Sequence, residues 1–291
     1  GPGERQEGEA AKGANTLMEV AQSRSVQLTG ITVSDTGRIF VNFPRWREIP
    51  YSVVELTDRG FEPYPGDGWN QWNTDQADTD QNAFVSVQSV VADADHLWVL
   101  DPASPGMQGV VGAGAKLVRL DLATDQVSHI YHFDASIAPE KSYLNDVRID
   151  EEHGYAYITD SGLGALVVLN LETGEQHRYL VDHASTKAED LTLTMDGEPL
   201  KFVDGGKPQI HSDGIALDEE KDQLYYHALT GYHLYRLPTK VLRDPSLDAN
   251  ERTAAVEDLG ETPAPDGMML GPENNLYMGD LENNAVVYRT P

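Results

Sequence analysis

Five polar residues recur along the chain, and each stands two positions before an apolar residue that opens an alternating run. Their spacings are 59, 57, 68 and 53 residues, and the positions are Thr29, Gln88, Asn145, Asp213 and Asp266. All five side chains carry an oxygen, and two of them are carboxylates. If the fold brings these residues to one axis, they form a polar ring that can bind a small molecule.

Such a ring suits two kinds of chemistry. Carboxylate and amide oxygens are the ligands that Ca²⁺ and similar divalent cations prefer, and the candidate metal ligands are Asn145, Asp213 and Asp266. A bound cation could activate water for hydrolysis, with Asp266 or the nearby His211 moving protons. Without a metal, the two carboxylates could pair directly with a cationic amine. The structural alternative is that Asp and Asn at these positions form turns or tie neighbouring strands together.

Aromatic residues cluster in a second region, the loop-like segment PYPGDGWNQWN (63–73). This segment is expected to cover one mouth of the site. Trp69 and Trp72, together with Trp46, are candidates for stacking on a planar or cationic ligand. Packing of the same rings into the protein interior is the alternative.

The elements that must position these residues repeat with them. The clearest copies of the repeated phrase are LNDVRID (144–150), HSDGIALD (211–218) and PDGMMLG (265–271). Each is followed by two alternating runs rich in Val, Ile, Leu and Tyr, which are typical of half-buried strands. A weaker fourth run occurs in SHIYHF (128–133) and QHRYLV (176–181). Four short strands per repeat predict an all-β propeller, whose innermost strands line a central channel.

Composition narrows the functional classes. The 291 residues include 48 acidic and 21 basic side chains, which gives a net charge of −27. Proteins that bind nucleic acid present a basic face, so a nucleic-acid partner is not expected. The chain has no cysteine, which excludes disulfides, thiolate metal sites and thiol catalysis. No apolar run approaches the roughly 18 residues of a membrane span. The oligomeric state is left open.

The N-terminus differs from the rest of the chain. Gly1-Pro2 resembles the scar left by a tag-cleaving protease, and the polar stretch that follows is typical of a flexible tether. We therefore expect a scar and tether over 1–15 and a propeller domain over 16–291, with five repeats visible. A tether of this kind often follows a removed export signal, which favours a secreted or periplasmic location.

Several long phrases resemble the Yellow / major royal jelly protein family. They are GITVSDTGRIFVNFPRW (30–46), LNDVRIDEEHGYAYITDSGLGALVVLNLETGE (144–175), DGIALDEEKDQLYYHALTGYHLYRLPT (213–239) and PAPDGMMLGPENNLYMGDLENNAVVYR (263–289). The resemblance runs from about Leu17 to the C-terminus, and the lack of cysteine is similar to bacterial members. It implies a six-bladed, usually secreted propeller. It implies no single chemistry, because members are linked to dopachrome conversion, to binding of biogenic amines, or to nutritive and structural roles.

The number of repeats departs from the family's six. The expectation is a six-bladed fold whose last blade is missing from this chain. The alternative is a five-bladed propeller in which LMEVAQSRSVQL (17–28) supplies the outer strand of the last blade. The second reading avoids exposed strand edges, which natural proteins disfavour.

The polar ring is also similar to that of gluconolactonase / senescence-marker propellers, which hold a divalent metal with Glu, two Asn and Asp. Asn145 and Asp266 match two of those positions, Asp213 replaces an Asn, and Thr29 stands where the Glu is expected. The sequence therefore favours a protein that binds a small molecule, either an amine, an aromatic compound or a lactone. The alternatives are a metal-dependent lactonase- or esterase-like hydrolase and a scaffold without small-molecule chemistry.

Overall fold

The computed structural model describes residues 19–23, 26–73, 82–202 and 204–291. The predicted tether over 1–15 lies outside these residues. Five antiparallel sheets follow one another along the chain, and each runs from an innermost strand outward in sequence order. This arrangement confirms the predicted β-propeller and shows five blades. In the part of the chain that is described, no helix is long and apolar enough to cross a membrane.

The first three blades have four strands each. Blade 1 contains β1 (Gly30–Val33), β2 (Ile39–Asn42), β3 (Val53–Thr57) and β4 (Gly60–Pro63). Blade 2 contains β5 (Ser89–Ala92), β6 (His96–Asp101), β7 (Lys116–Asp121) and β8 (Gln126–His132). Blade 3 contains β9 (Leu144–Asp150), β10 (Tyr155–Asp160), β11 (Ala165–Asn170) and β12 (Gln176–Tyr179). The weak fourth runs of the sequence are thus confirmed as β8 and β12.

The rest of the chain adds two blades, a hairpin and short helices. The hairpin between blades 3 and 4 pairs β13 (Thr194–Met195) with β14 (Glu198–Pro199). Blade 4 contains β15 (Ser212–Asp218), β16 (Gln223–Ala228), β17 (His233–Pro238) and β18 (Glu257–Glu261). Blade 5 contains β19 (Pro265–Leu270), β20 (Leu276–Asp280) and β21 (Ala285–Arg289). The helices are α1 (Thr239–Arg243) and α2 (Ala249–Ala254), and 3₁₀ turns span Gly68–Asn70, Pro105–Met107, Ala184–Thr186 and Pro272–Asn274.

The core lies between neighbouring blades because successive side chains of a strand point to opposite faces. In β15, Ile215 packs with the cluster that includes Tyr157 of blade 3, whereas Ala216 packs with Met268 and Met278 of blade 5. The inner strand of blade 4 therefore packs against the blades on both of its sides. This packing explains why such an inner strand carries apolar residues on both of its faces.

The first and last blades each leave one face uncovered. Ile31 and Val33 of β1 are 62% and 58% exposed, and Met269 in blade 5 is 63% exposed. On blade 1, Val20 and Ala21 help to line an apolar groove of about 280 Å³. Within the described residues no strand pairs with the outer edge of β21, and residues 19–23 and 26–28 form no strand. The alternative in which this segment completes the last blade is therefore wrong for its described part, because that part contacts blade 1.

A buried carboxylate ties the loops together in blade 2. Asp101 ends β6 and is fully buried, and its oxygens accept hydrogen bonds from the backbone N–H groups of Val85 at 2.8 Å and Ser86 at 3.0 Å. The Nζ atom of Lys116, also fully buried, lies 3.0 Å from the same carboxylate. The negative charge is thus matched by a cation and by backbone donors, as burial of a charge requires.

Blade 3 repeats this device. Asp160 ends β10, is fully buried, and accepts from the backbone N–H groups of Tyr143 at 2.8 Å and Gly162 at 2.9 Å. Arg178 Nη2 lies 2.7 Å from Asp160 Oδ2. Both carboxylates therefore fasten the loop that leads into the innermost strand of their blade, and so they set the position of the polar ring.

Candidate functional site

The ring residues of the last three blades stand on irregularities of the innermost strands. The register of β9, β15 and β19 shifts at β-bulges that contain Asn145, Asp213 and Asp266. In blade 4, the residues on either side of Asp213 pair with two adjacent residues of β16, so Asp213 itself has no pairing partner. Bulges re-aim side chains and are frequent beside functional sites. Here they bring Asn145 within hydrogen-bond distance of Asp213 and place the charge of Asp266 near Asp213.

The ring positions of blades 1 and 2 are occupied by contacts between blades. Thr29 Oγ1 donates to the carbonyl of Gln88 at 3.0 Å and accepts from Asn42 Nδ2 at 2.9 Å. Gln88 Oε1 accepts from Tyr143 Oη at 2.6 Å, and that hydroxyl accepts from Trp46 Nε1 at 3.0 Å. These side chains link blades 1, 2 and 3. For Thr29 and Gln88 the geometry therefore favours the structural alternative over direct ligand contact.

Asn145 of blade 3 holds the carboxylate of blade 4. Its Nδ2 donates to Asp213 Oδ2 at 3.1 Å and to Ser161 Oγ at 3.0 Å. Thr159 Oγ1 donates to the backbone carbonyl of Asp213 at 2.7 Å. Asn145 is buried, so it acts mainly by orienting Asp213.

Asp213 is an ionisable group in an unfavourable place for a charge. It lies deep in the protein and yet keeps part of its surface accessible, as a side chain on a channel wall does. Burial raises the pKa of Asp213 well above its ordinary value, and the nearby charges of Asp266 and Asp146 raise it further. No described cation pairs with this carboxylate. Asp213 can therefore take up a proton or pair with a positively charged ligand.

Asp266 is the second free carboxylate of the ring. Its side chain is exposed, and within the described residues it has no hydrogen-bond or ion-pair partner. Partial burial by surrounding atoms raises its pKa as well. The bulge beneath it depends on glycine, because Gly267 has a φ of +96° and a Cβ at Gly279 would lie 3.2 Å from the Asp266 carbonyl oxygen.

Sequence reasoning missed a charged pair on the innermost strand of blade 3. Arg148 Nη1 lies 3.0 Å from Asp146 Oδ1, and Arg148 Nη2 donates to the carbonyl of Met268 at 2.7 Å. Both charged residues stand in the phrase LNDVRID, on an innermost strand that otherwise packs between blades. The sequence did offer a signal for this pair. Asp146 and Arg148 are charged, whereas a strand buried on both faces is otherwise apolar.

The structure places His211 differently from its predicted catalytic role. Its Nδ1 accepts a hydrogen bond from the backbone N–H of Ala188 at 2.8 Å, so the proton of the neutral ring is on Nε2. Burial lowers the pKa of His211, with a further contribution from Lys187. The basic nitrogen is therefore already occupied by the backbone, which argues against a general base.

The tryptophans predicted to contact ligand lie in other surroundings. Trp72 is 5% exposed, and the Arg45 guanidinium lies 5.0 Å from its ring centroid. Trp69 packs against Phe84 at 5.0 Å between centroids, in the cluster between blades 1 and 2. Their rings are used for packing, so the ligand-binding role assigned to them is not supported. Trp46, 37% exposed and bonded to Tyr143, is the better placed aromatic side chain.

The ring differs in its contacts from the divalent-metal site that the gluconolactonase resemblance implies. The described residues include no group of three or more His, Cys, Asp or Glu placed to hold a metal ion. Asn145 turns its NH₂ group to Asp213, which is how an amide supports a carboxylate and not how two ligands share a cation. The carboxylate of Asp146 is already paired with Arg148. Asp213 therefore accepts a hydrogen bond from Asn145, whereas Asp266 has no side-chain partner among the described residues.

The fold is a β-propeller whose innermost strands carry the two aspartates Asp213 and Asp266 on bulges. A sequence profile described as major royal jelly protein matches residues 85–291. The chain therefore belongs to the major royal jelly protein family, as its repeated phrases predicted. No curated protein is similar enough to this chain to count as a match.

Solved structures share the architecture at low identity. A chain of Kuenenia stuttgartiensis hydrazine synthase is 13% identical, with a TM-score of 0.56 over 91% of this chain and 71% of that one. Inactive virginiamycin B lyase from Staphylococcus aureus, solved with quinupristin, is 12% identical, with a TM-score of 0.51 over 93% and 72%. A chain of a nidogen/laminin complex is 12% identical, with a TM-score of 0.55 over 91% and 76%. At these identities the similarities support the propeller fold alone.

Proposed function

We propose that this protein binds a small cationic ligand, of the organic ammonium class, at the mouth of its central channel. The observation that carries the proposal is the pair Asp213 and Asp266, two neighbouring carboxylates that the described protein supplies with no cation. A bound ammonium group would provide the missing charge. Trp46, which is partly exposed and bonded to Tyr143, could contact an aromatic part of the ligand.

The raised pKa of Asp213 gives this binding a defined pH dependence. A cation binds the ionised carboxylate, so binding must release the proton that Asp213 holds in the free protein. Affinity should therefore rise as the pH increases through the raised pKa. A neutral ligand such as a lactone would show no such dependence.

Calorimetric titration with a panel of alkyl- and arylalkylammonium compounds tests the proposal. The wild type should bind members of the panel, and Asp213→Asn and Asp266→Asn should each weaken binding about tenfold or more, as loss of a charged hydrogen-bond partner does. Asp190→Asn is the matched control, because Asp190 is fully exposed and pairs only with Lys207. Absence of binding to the whole panel, or equal binding by the Asp213 variant, would refute the proposal.

We also propose that the protein acts outside the cytoplasm, in the periplasm or as a secreted protein. The support is the resemblance to the Yellow / major royal jelly protein family, which implies a usually secreted protein. Fractionation of the natural host, followed by detection with an antibody, tests this location. Recovery of the protein in the cytosolic fraction would contradict it.

A further inference from the structure

The outer edge of blade 5 differs from that of the other blades. In blades 1 to 4 a fourth strand pairs with the third, whereas β21 has no neighbour on its outer edge within the described residues. Val286 and Tyr288 of this strand are 74% and 62% exposed. An edge strand presents unpaired backbone N–H and C=O groups, so β21 can accept a further strand.

A buried aspartate of blade 5 indicates what such a strand should carry. Asp280 ends β20 and is 6% exposed, and its oxygens accept hydrogen bonds from the side chain and the backbone N–H of Asn283. The described residues supply this carboxylate with no cation. The aspartates at the same position of blades 2 and 3, Asp101 and Asp160, each have one. The charge of Asp280 is therefore incompletely compensated for a buried group.

Blades 2 and 3 obtain the cation in two ways. In blade 2 the third strand supplies it, because Lys116 lies directly opposite Asp101. In blade 3 the third strand has Ala165 opposite Asp160, and the fourth strand supplies the cation through Arg178. An alanine opposite the aspartate thus leaves the fourth strand to supply the cation.

Blade 5 follows the arrangement of blade 3. Ala285 lies opposite Asp280, and Val287 stands two residues further along β21. The corresponding residue of blade 3, Val167, lies opposite Arg178. Directly opposed residues of antiparallel strands point to the same face of a sheet. A fourth strand in blade 5 should therefore carry its basic residue opposite Val287.

We propose that this fourth strand is β21 of a second copy of the chain, paired antiparallel across a two-fold axis. With Tyr288 opposite Tyr288 of the second copy, Arg289 of each copy lies opposite Val287 of the other, which is the position that blade 3 indicates. Within its own chain Arg289 is exposed, donates to the carbonyl of Leu259 at 3.4 Å, and has no carboxylate partner among the described residues. In the dimer it compensates the charge of Asp280.

The two-fold axis satisfies both copies at once, since each contributes one arginine and receives one. The strands overlap over residues 285–291 and join the two three-stranded sheets into one. The opposed Tyr288 rings cover each other on the other face of the sheet. The net charge of −27 on each copy opposes association, so salt that screens this long-range repulsion should strengthen the dimer.

Light scattering coupled to size-exclusion chromatography tests the proposal. The wild type should show a concentration-dependent mass that approaches twice the 32.0 kDa of one chain. Arg289→Glu should weaken the dimer at least about thirtyfold, as loss of a buried charge pair at an interface does. Arg59→Glu is the matched control, because it makes the same change of charge at an exposed residue of the β3–β4 turn, and it should keep the dimer.

Cysteine cross-linking tests the register of the two strands. The chain has no cysteine, so one introduced thiol reports one contact. Tyr288→Cys places two thiols opposite each other, about 4.5–5.5 Å apart between Cβ atoms, and mild oxidation should give a disulfide-linked dimer. Val286→Cys is the control, since the two copies of residue 286 are offset by four positions, roughly 13 Å, and should not cross-link.

Each outcome bears on the proposal. A wild type that is monomeric at every concentration overturns it, as does a dimer that Arg289→Glu leaves intact. Cross-linking through Val286→Cys and not through Tyr288→Cys would show a different register and contradict it. Loss of the dimer in Arg59→Glu as well would mean that net charge, and not the pair with Asp280, controls association. The cross-linking experiment leaves Arg289 unchanged, so it decides the question even if Arg289→Glu does not fold.

Discussion

Two pairs of aspartates in this propeller have opposite surroundings. Asp101 and Asp160 end the second strands of blades 2 and 3, and each is met by a cation and by several backbone N–H groups. Asp213 and Asp266 stand on bulges of the innermost strands, and no described cation pairs with them. The charges of the first pair are compensated within the protein. Those of the second pair are not compensated by any described cation.

The comparison shows that surroundings, and not residue type, separate a structural carboxylate from a binding one. A charge that the protein satisfies fully contributes to folding. A charge that it leaves open costs stability, and such a cost is typical of functional sites. Four substitutions test this distinction between structural and binding carboxylates.

The largest effect is expected at the structural pair. Asp160→Asn removes the charge that faces Arg178 and weakens bonds to the backbone N–H groups of Tyr143 and Gly162. Breaking a buried ion pair costs about 3–5 kcal/mol, so the free energy of unfolding in urea should fall by at least about 3 kcal/mol. A loss under about 1 kcal/mol would show that Asp160 does not fasten its blade.

At the channel pair the sign should reverse. Because the folded-state pKa of Asp213 is raised, its contribution to stability is complete below the unfolded-state pKa and is lost as the pH rises through the folded-state pKa. Asp213→Asn should therefore equal the wild type in acid and exceed it near neutral pH. Urea denaturation of both proteins across this pH range measures the difference. A variant less stable than wild type at neutral pH would place Asp213 with the structural aspartates.

A smaller loss is expected where the ring ties blades together. Tyr143→Phe removes the hydroxyl that donates to Gln88 Oε1 and accepts from Trp46. The free energy of unfolding should fall by about 1 kcal/mol, with a change in tryptophan emission as Trp46 loses its partner. Trp46→Phe is the control that assigns the emission change. Unaltered emission in Tyr143→Phe would mean that the bond to Trp46 is not formed in solution.

The smallest effect belongs to the surface. Asp190 is fully exposed and pairs with Lys207 at 2.8 Å. Exposed ion pairs contribute little because water and salt screen them. Asp190→Asn should leave both the urea midpoint and ligand binding unchanged. A clear loss of either would mean that exposure does not separate the classes of carboxylate.

Much of the architecture could be predicted from the sequence. The repeated phrase located all five innermost strands, because the apolar residues that pack between blades form a clear alternating pattern in the sequence. It also located Asn145, Asp213 and Asp266 on those strands. The β13–β14 hairpin and helices α1 and α2 have no counterparts in the other repeats, so the repeat pattern did not predict them.

The roles within the ring could not be predicted, since they depend on contacts far apart in sequence. In the sequence, Thr29 and Gln88 look as available for ligand binding as Asp213. In the fold, they accept hydrogen bonds from Asn42 and Tyr143, respectively. The sequence predicted that Trp72 contacts a ligand, whereas in the fold its ring is buried beneath the Arg45 guanidinium. Such pairings come from blade packing, which no local pattern encodes.

The most direct test of the free carboxylates is a carboxyl-carbon NMR titration of Asp213, with Asp213→Asn to assign its signal. In the free protein the pKa of Asp213 should lie well above the usual value for aspartate, because burial and Asp266 disfavour its charge. Saturation with an ammonium ligand should lower that pKa, since a cation then faces the carboxylate. An Asp213 that titrates at the ordinary value, or a raised pKa that no ammonium compound changes, would contradict a cation site in the channel.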